Sequence, residues 1–338
     1  MTSRELTIRT LEFRNPDRVP RQLWVLPWAS LYHGEELDAI QRDFPADIGG
    51  VEGGESEHPA TTGDAYEFGD YTDVWGAKFH NVQRGLIGEV KEPLITGENW
   101  EDAGKAHVPI ELLTIDRDHI NRQCASTDLF VMAGECPRPF EQLQFLRGTE
   151  NLYLDLAYKS SGMLAFLEKM HDFYCKWVEA WAQTDVDGIM MMDDWGSQRS
   201  LLINPKAWVE IFKPMYRDYI NIAKKYNKKT FMHSDGYTLE IIPHLIDLGL
   251  DALNTQIFCM GMEPLRQFKG RITFWGEIDR QHLLVEATPR QVKAAVHGVY
   301  DTLWDYGGCI AQCEFGAGSR PQNVRAVFEA WNECCNKK

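Results

Sequence analysis

The chain has 338 residues, 44% of them hydrophobic and 25% charged, with a formal net charge of -15. That length suits one large α/β domain spanning residues 1–338, and the acidic balance disfavours nucleic acid, whose phosphates require a basic surface. No stretch approaches ~20 consecutive apolar residues, and the opening Met1-Thr-Ser-Arg-Glu-Leu lacks an apolar signal core, so no membrane span and a cytoplasmic location are expected. The eight cysteines are scattered and read as reduced thiols.

The first predicted element is a helix over Glu5–Phe13, ended by Asn15-Pro16, followed by a strand at Arg21–Leu26. Residues 47–110 are rich in Gly, Glu and Thr, with strand-like pieces at Glu67–Asp70 and Gly88–Val90. They read as a loop-rich excursion over one end of the domain. From Asp128 onward strands and helices alternate: a strand at Leu129–Ala133, a helical region from Phe140 to Tyr158, and a long helix over Met163–Ala182. Helices at Pro205–Lys224, Thr238–Leu248, Pro264–Phe268, Pro289–Tyr306 and Pro321–Asn332 follow the later strands.

Those later strands are short apolar runs, as buried parallel strands should be, and most end in polar residues. Ile189–Met192 runs into Asp193 and Asp194, Thr230–Met232 into His233-Ser-Asp235, Ile272–Trp275 into Gly276-Glu277, and Cys309–Gln312 into Cys313-Glu314. Without a G-x-G-x-x-G after an early strand, a doubly wound nucleotide-binding sheet is disfavoured. The expected fold is therefore a (β/α)8 TIM barrel with its site at the strand C-termini and an N-terminal loop-rich extension over one end.

At that rim, His233 and Asp235 share one face of a strand end because side chains alternate with period two. Cys313, at the end of the last strand, could face them, and one imidazole, one carboxylate and one thiolate form a three-ligand zinc set with an open position. The plainer alternative is a hydrogen-bonded His-x-Asp pair beside a core cysteine. Of Asp193 and Asp194, one must point into the pocket and the other towards the helix layer. Either could serve as ligand, base or acceptor, or as a helix cap. Glu277 is a candidate general acid or displaceable fourth ligand, and Glu135 and Glu141 flank a rigid Cys136-Pro-Arg-Pro loop as further proton-donor candidates. Trp24, Trp28, Trp195 and Trp275 lie in or just after strands, where they could wall a pocket for a flat substrate or pack beneath the helices.

The segment from Phe231 through Gln256, the Gly276-Glu-Ile-Asp-Arg-Gln run and the Pro321-Gln-Asn-Val close resemble the uroporphyrinogen decarboxylase superfamily. Its members have a (β/α)8 barrel and include decarboxylases and cobalamin-dependent methyltransferases. True decarboxylases carry an Arg-rich R-Q-A-G-R-Y-type segment near the N-terminus, where this chain has the aromatic Arg21-Gln-Leu-Trp-Val-Leu-Pro-Trp. The methyltransferase branch uses a His-x-Cys pair and a later Cys as zinc ligands. The resemblance maps these onto His233 and Cys313, with a departure at Asp235 that favours polarising an oxygen over activating a thiol. The Arg18–Trp28 stretch, Trp75-Gly76 and Asp194-Trp-Gly are similar to methyltransferase components of aryl-ether O-demethylases. That resemblance implies methyl transfer from a methoxylated aromatic to the cob(I)alamin of a separate corrinoid protein. No D-x-H-x-x-G corrinoid signature occurs in this chain. A decarboxylase of a different carboxylate, or a non-catalytic barrel binding a small ligand, are the alternatives.

Overall fold

The computed structural model describes residues 1–54, 57–134 and 136–335; Glu135 lies outside them. Its strands, in chain order, are β1 (Arg21–Val25), β2 (Ile48–Gly49), β3 (Gly69–Thr72), β4 (Lys78–Asn81), β5 (Glu89–Val90) and β6 (Phe130–Val131). They continue with β7 (Gly188–Met192), β8 (Lys229–Ser234), β9 (Ala252–Thr255), β10 (Thr273–Trp275) and β11 (Cys309–Phe315). Six of them form one parallel sheet in the order β1-β11-β10-β9-β8-β7, and β2 pairs with β6 in parallel. Backbone bonds tie this pair to both sheet edges: Asp47 N donates to Arg21 O at 2.8 Å, and Asp187 N and Ala133 N continue the ladder between β6 and β7 at 2.7 and 2.9 Å. The sheet is curled, and helices follow most of its strands.

Period-two alternation divides the strand residues between two cores. Ile48, Phe130, Phe231, Ala252, Trp275 and Ile310 form an inner cluster with Trp24 and Met190 packed against it. Met191, Met232, Leu253, Phe274 and Cys313 belong to the outer core beneath the helices. The long helix Ser161–Ala182 presents a buried face including Met163, Phe166, Met170, Phe173, Trp177 and Trp181 to that outer layer. Each such side chain contributes roughly 1.5–3 kcal/mol by leaving water.

Several expected elements differ in extent. The first helix runs Ser3–Leu11, capped by Thr2, whose hydroxyl accepts from Glu5 N at 3.1 Å. The helix expected over Pro205–Lys224 is interrupted by a π turn at Trp208–Phe212, after which Lys213–Lys225 completes it. A helix over Pro27–Asp43, with Pro27 in its first turn, has no counterpart in the sequence expectations. The excursion contains the antiparallel sheet β3-β4-β5. Two buried polar links hold it down. Asp155 accepts from Trp100 Nε1 and Arg147 Nε, both at 2.8 Å, and Gln142 Nε2 donates to Asp73 at 2.9 Å.

Candidate metal centre and active site

The loops leaving β7 and β8 are laced together, and this brings their acidic residues into one cluster. Asp193 N donates to His233 O, Gly196 N to Asp235 O, each at 3.1 Å, and Tyr237 N to Ser197 O at 2.8 Å. Gly236 has φ +78°, and a Cβ there would collide with the Gly196 carbonyl, so this close approach requires glycine. With the loops so held, Asp235 N donates to Asp194 Oδ1 at 2.8 Å.

Asp194, His233 and Asp235 each offer one ligand atom within 4.8 Å of the others. His233 Nε2 lies 3.6 Å from Asp194 Oδ1 and 3.6 Å from Asp235 Oδ1. On its other side, His233 Nδ1 lies 2.6 Å from Asn254 Oδ1. The Asn254 amide group already donates to the Trp275 carbonyl and to Gln312 Oε1, so its oxygen must face the imidazole and Nδ1 must donate. Nε2, the ring's other nitrogen, therefore faces two carboxylates. Asp235 Oδ1 is buried and has no hydrogen-bond partner among the described residues. A cation between these three groups would relieve both problems, so the residues fit a bound metal ion.

Around this trio, charge is unbalanced. Arg280 Nη1 donates to both Glu277 oxygens at 2.8 and 2.7 Å, Nη2 donates to Asp235 Oδ2, and Nε lies 3.6 Å from Glu314. Burial alone would lower the Arg280 pKa, but Glu277, Asp235 and Glu314 override it and keep the guanidinium charged. One arginine thus serves three carboxylates, with Asp194 a fourth nearby. Burial raises the Glu277 pKa to about 7 against the opposing pull of Arg280. Two short bonds from a permanent cation make its ionised form the relevant one while that pair is intact. Glu314 and Asp194 are also shifted upward by burial, opposed by Arg280 and by His233 respectively. Glu141 is raised to about 7 by burial, opposed by Arg138, and it sits within electrostatic reach of Asp194, His233 and Asp235.

Cys313 does not join His233 and Asp235. It is fully buried in the outer core, with Cys309, Ala311 and Phe315, while its neighbours Gln312 and Glu314 face inward to Asn254 and Arg280. The trio expected from the sequence does not assemble, because alternation along β11 sends Cys313 to the opposite face; the group that comes together instead is Asp194, His233 and Asp235. Asp193 also lies away from the trio. It is fully buried, accepting from Glu141 N at 2.7 Å, Phe140 N at 3.2 Å and the Tyr216 hydroxyl. It caps the first turn of the helix Pro139–Arg147 and is thereby placed as a structural acid.

The tryptophans separate in the same way. Trp24 stands 5.2 Å from the His233 ring and 5.1 Å, edge to face, from Trp275. Trp275 is itself buried and donates to Gln22 Oε1 at 2.7 Å. With Gln22, Met132, Met190 and Met192 they border a cavity of about 300 Å³. Trp195 is fully buried instead, stacked on Phe140 at 4.3 Å and donating to the Tyr216 hydroxyl at 3.1 Å, so it belongs to the outer core. Trp28 packs against Tyr32 and His33 on the helix after β1.

Arg280, Asn254 and Glu314 were not singled out as site residues by the sequence. A signal existed for Arg280, three residues after Glu277 in the Gly276-Glu-Ile-Asp-Arg-Gln run.

None of the curated proteins matches this chain. Among solved structures it is similar to a methyltransferase from Methanosarcina mazei, with a TM-score of 0.70 at 14% identity, covering 98% of this chain and 99% of that one. The GH18 chitinase ChiB of Flavobacterium johnsoniae is a more distant likeness, with a TM-score of 0.42 at 7% identity over 94% of this chain and 95% of that one. At such identities the likeness to the methyltransferase establishes a shared fold. A family model described as uroporphyrinogen decarboxylase (URO-D) matches residues 85–334, and the chain therefore belongs to the uroporphyrinogen decarboxylase family.

Proposed function

We propose that this protein is a single (β/α)8 barrel of the methyltransferase branch, moving a methyl group from a methoxylated aromatic to the cob(I)alamin of a separate corrinoid protein. The observation that carries the reading is the convergence of Asp194, His233 and Asp235 at strand ends. Beside it lies a cavity bordered by Trp24, Trp275 and methionines, suited to a flat apolar donor. The fold shared with a methyltransferase and the aromatic segment after β1 support the same branch. For an ordinary uroporphyrinogen-type decarboxylase, the surface at Arg21–Trp28 offers too few cations to a polycarboxylate.

An aryl methyl ether is inert because aryloxide leaves poorly. Asp194, His233 and Asp235 would hold one metal ion, zinc in our reading, and its contribution when bound is Lewis-acid polarisation of the ether oxygen. Asn254 holds His233 in the tautomer with Nε2 free. Arg280 holds Asp235 in place and shares the negative charge of Glu277 and Glu314. Glu141, largely protonated below about pH 7, holds the proton that the departing phenolic oxygen takes as its bond to the methyl carbon breaks. Trp24 and Trp275 orient the ring. Incubation with a reduced corrinoid protein and a methoxyarene tests the proposal; phenol formation strictly dependent on both is expected.

A further inference from the structure

Glu141 lies in the first turn of the helix Pro139–Arg147, and the group that holds this turn comes from outside the helix. Pro139 has no N–H to satisfy, and Arg138, at the cap, makes no side-chain cap bond. The open amides of Phe140 and Glu141 therefore need another acceptor. Asp193 supplies it from 52 residues away in sequence: Oδ1 receives Glu141 N at 2.7 Å and Oδ2 receives Phe140 N at 3.2 Å.

Asp193 is itself fixed from two sides. Its amide donates to His233 O at 3.1 Å, at the end of β8, and Asp194 follows it directly in the chain. Behind it, the Tyr216 hydroxyl donates to Oδ2 and accepts from Trp195 Nε1 at 3.1 Å, so the hydroxyl proton is committed to Asp193. Asp193, Trp195 and Tyr216 are all fully buried, where such bonds are costly to leave unmade. Met192 N donates to Pro137 O at 2.9 Å and closes the same join one residue earlier. The strand end that leads into the metal-binding trio is thereby tied to the turn that carries Glu141. The Glu141 carboxyl depends on that tie. Its Oε2 is buried with no hydrogen-bond partner among the described residues, and Arg138 Nη1 stands 3.7 Å away, so the backbone beneath sets its place.

We propose that Asp193, braced by Tyr216, is the positioning residue that fixes Glu141 against Asp194, His233 and Asp235. The inference rests on the reading of Glu141 as the proton donor in methyl transfer. Asp193 acts through Glu141: it sets the reach of the proton donor from the metal-binding groups, a spacing on which the rate depends steeply.

Tyr216→Phe tests this, because it removes the brace without changing any charge around Glu141. Those charges are Arg138 at its own helix cap, Asp193 and Asp194 after β7, and His233 and Asp235 from β8. In full-length protein labelled with 13C at glutamate Cδ, NMR follows the Glu141 carboxyl, its signal assigned by its loss in Glu141→Gln. In Tyr216→Phe the titration midpoint should move by about half a unit or more towards the ordinary carboxyl range, as the turn loosens and water reaches the group. In the methyl-transfer assay kcat should fall about tenfold or more, with KM within about twofold and zinc retention unchanged. A folded Tyr216→Phe protein that loses thermal stability but keeps the wild-type Glu141 midpoint and kcat would overturn the proposal. Should Tyr216→Phe fail to fold, Asp193→Asn decides by the same split between kcat and KM, an unchanged kcat overturning it. The NMR measurement needs neither corrinoid protein nor methyl donor, so the two readings fail separately. A shifted Glu141 without methyl transfer refutes the function alone, and methyl transfer with Glu141 and kcat unmoved refutes the role of Asp193 alone.

Discussion

Asn254 directs His233: its side-chain oxygen lies 2.6 Å from Nδ1, while its amide hydrogens are committed to Trp275 and Gln312. The imidazole therefore presents Nε2 to Asp194 and Asp235. A partner of this kind tunes a metal-binding histidine, and its loss typically costs 10–100-fold in affinity. Asn254→Ala should lower zinc affinity by about that factor, measured by competition with a chromophoric chelator, without removing any ligand. Unchanged affinity would mean that His233 is not held for metal binding.

The trio that assembles makes a sharp contrast with Cys313. Asp194→Asn or His233→Gln should reduce zinc retained by the purified protein to a minor fraction, measured by mass spectrometry of the metal. Cys313→Ala should leave metal content unchanged and cost about 1 kcal/mol of stability, as a small deletion in the outer core. Loss of metal on replacing Cys313 would restore the thiolate set that the resemblance implied.

Trp195 and Trp24 should respond in opposite ways. Trp195→Ala removes a fully buried indole among Phe140, Phe212 and Tyr216, and should destabilise the fold by roughly 3–5 kcal/mol in chemical denaturation. Trp24→Ala should weaken methoxyarene binding more than stability, since its ring borders the cavity beside His233. A stability loss for Trp24→Ala as large as that for Trp195→Ala would place it in the structural core.

Glu141 sets the expected pH dependence. Burial raises its pKa to about 7, so the proton it offers to a leaving oxygen is present below that value and lost above it. The sign for stability follows from the same shift: ionising Glu141 inside the fold is unfavourable, so its contribution weakens as pH rises from the ordinary carboxyl range through about 7. Turnover should fall above pH about 7, and Glu141→Gln should remove that limb together with roughly 10²–10⁴-fold of the rate. A pH profile unchanged in Glu141→Gln would assign the proton to another group.

The strand tips were legible because buried parallel strands are short apolar runs, and polar residues that follow them stand out. Alternation also required that only one of Asp193 and Asp194 face inward, and Asp194 is the one beside His233. The phase of β11 also has a local signal: Cys309, Ala311, Cys313 and Phe315 share one apolar face while Gln312 and Glu314 lie on the other, so alternation turns Cys313 away from the face the expected zinc set required. Trp195 and Arg280 were not legible. Both follow a strand, and only tertiary packing determines that the first turns under the helix Pro139–Arg147 and the second reaches back to Asp235. The helix Pro27–Asp43 is interrupted by non-helical backbone at His33, which blurs the apolar period that would have revealed it.

Methyl transfer itself is the decisive measurement. The purified protein, mixed with a reduced corrinoid protein and 3-methoxybenzoate, should yield 3-hydroxybenzoate and methylated corrinoid in equal amounts, with neither product formed when any component is omitted. Release of carbon dioxide from a porphyrinogen by this protein alone, with no demethylation of any methoxyarene, would contradict the account.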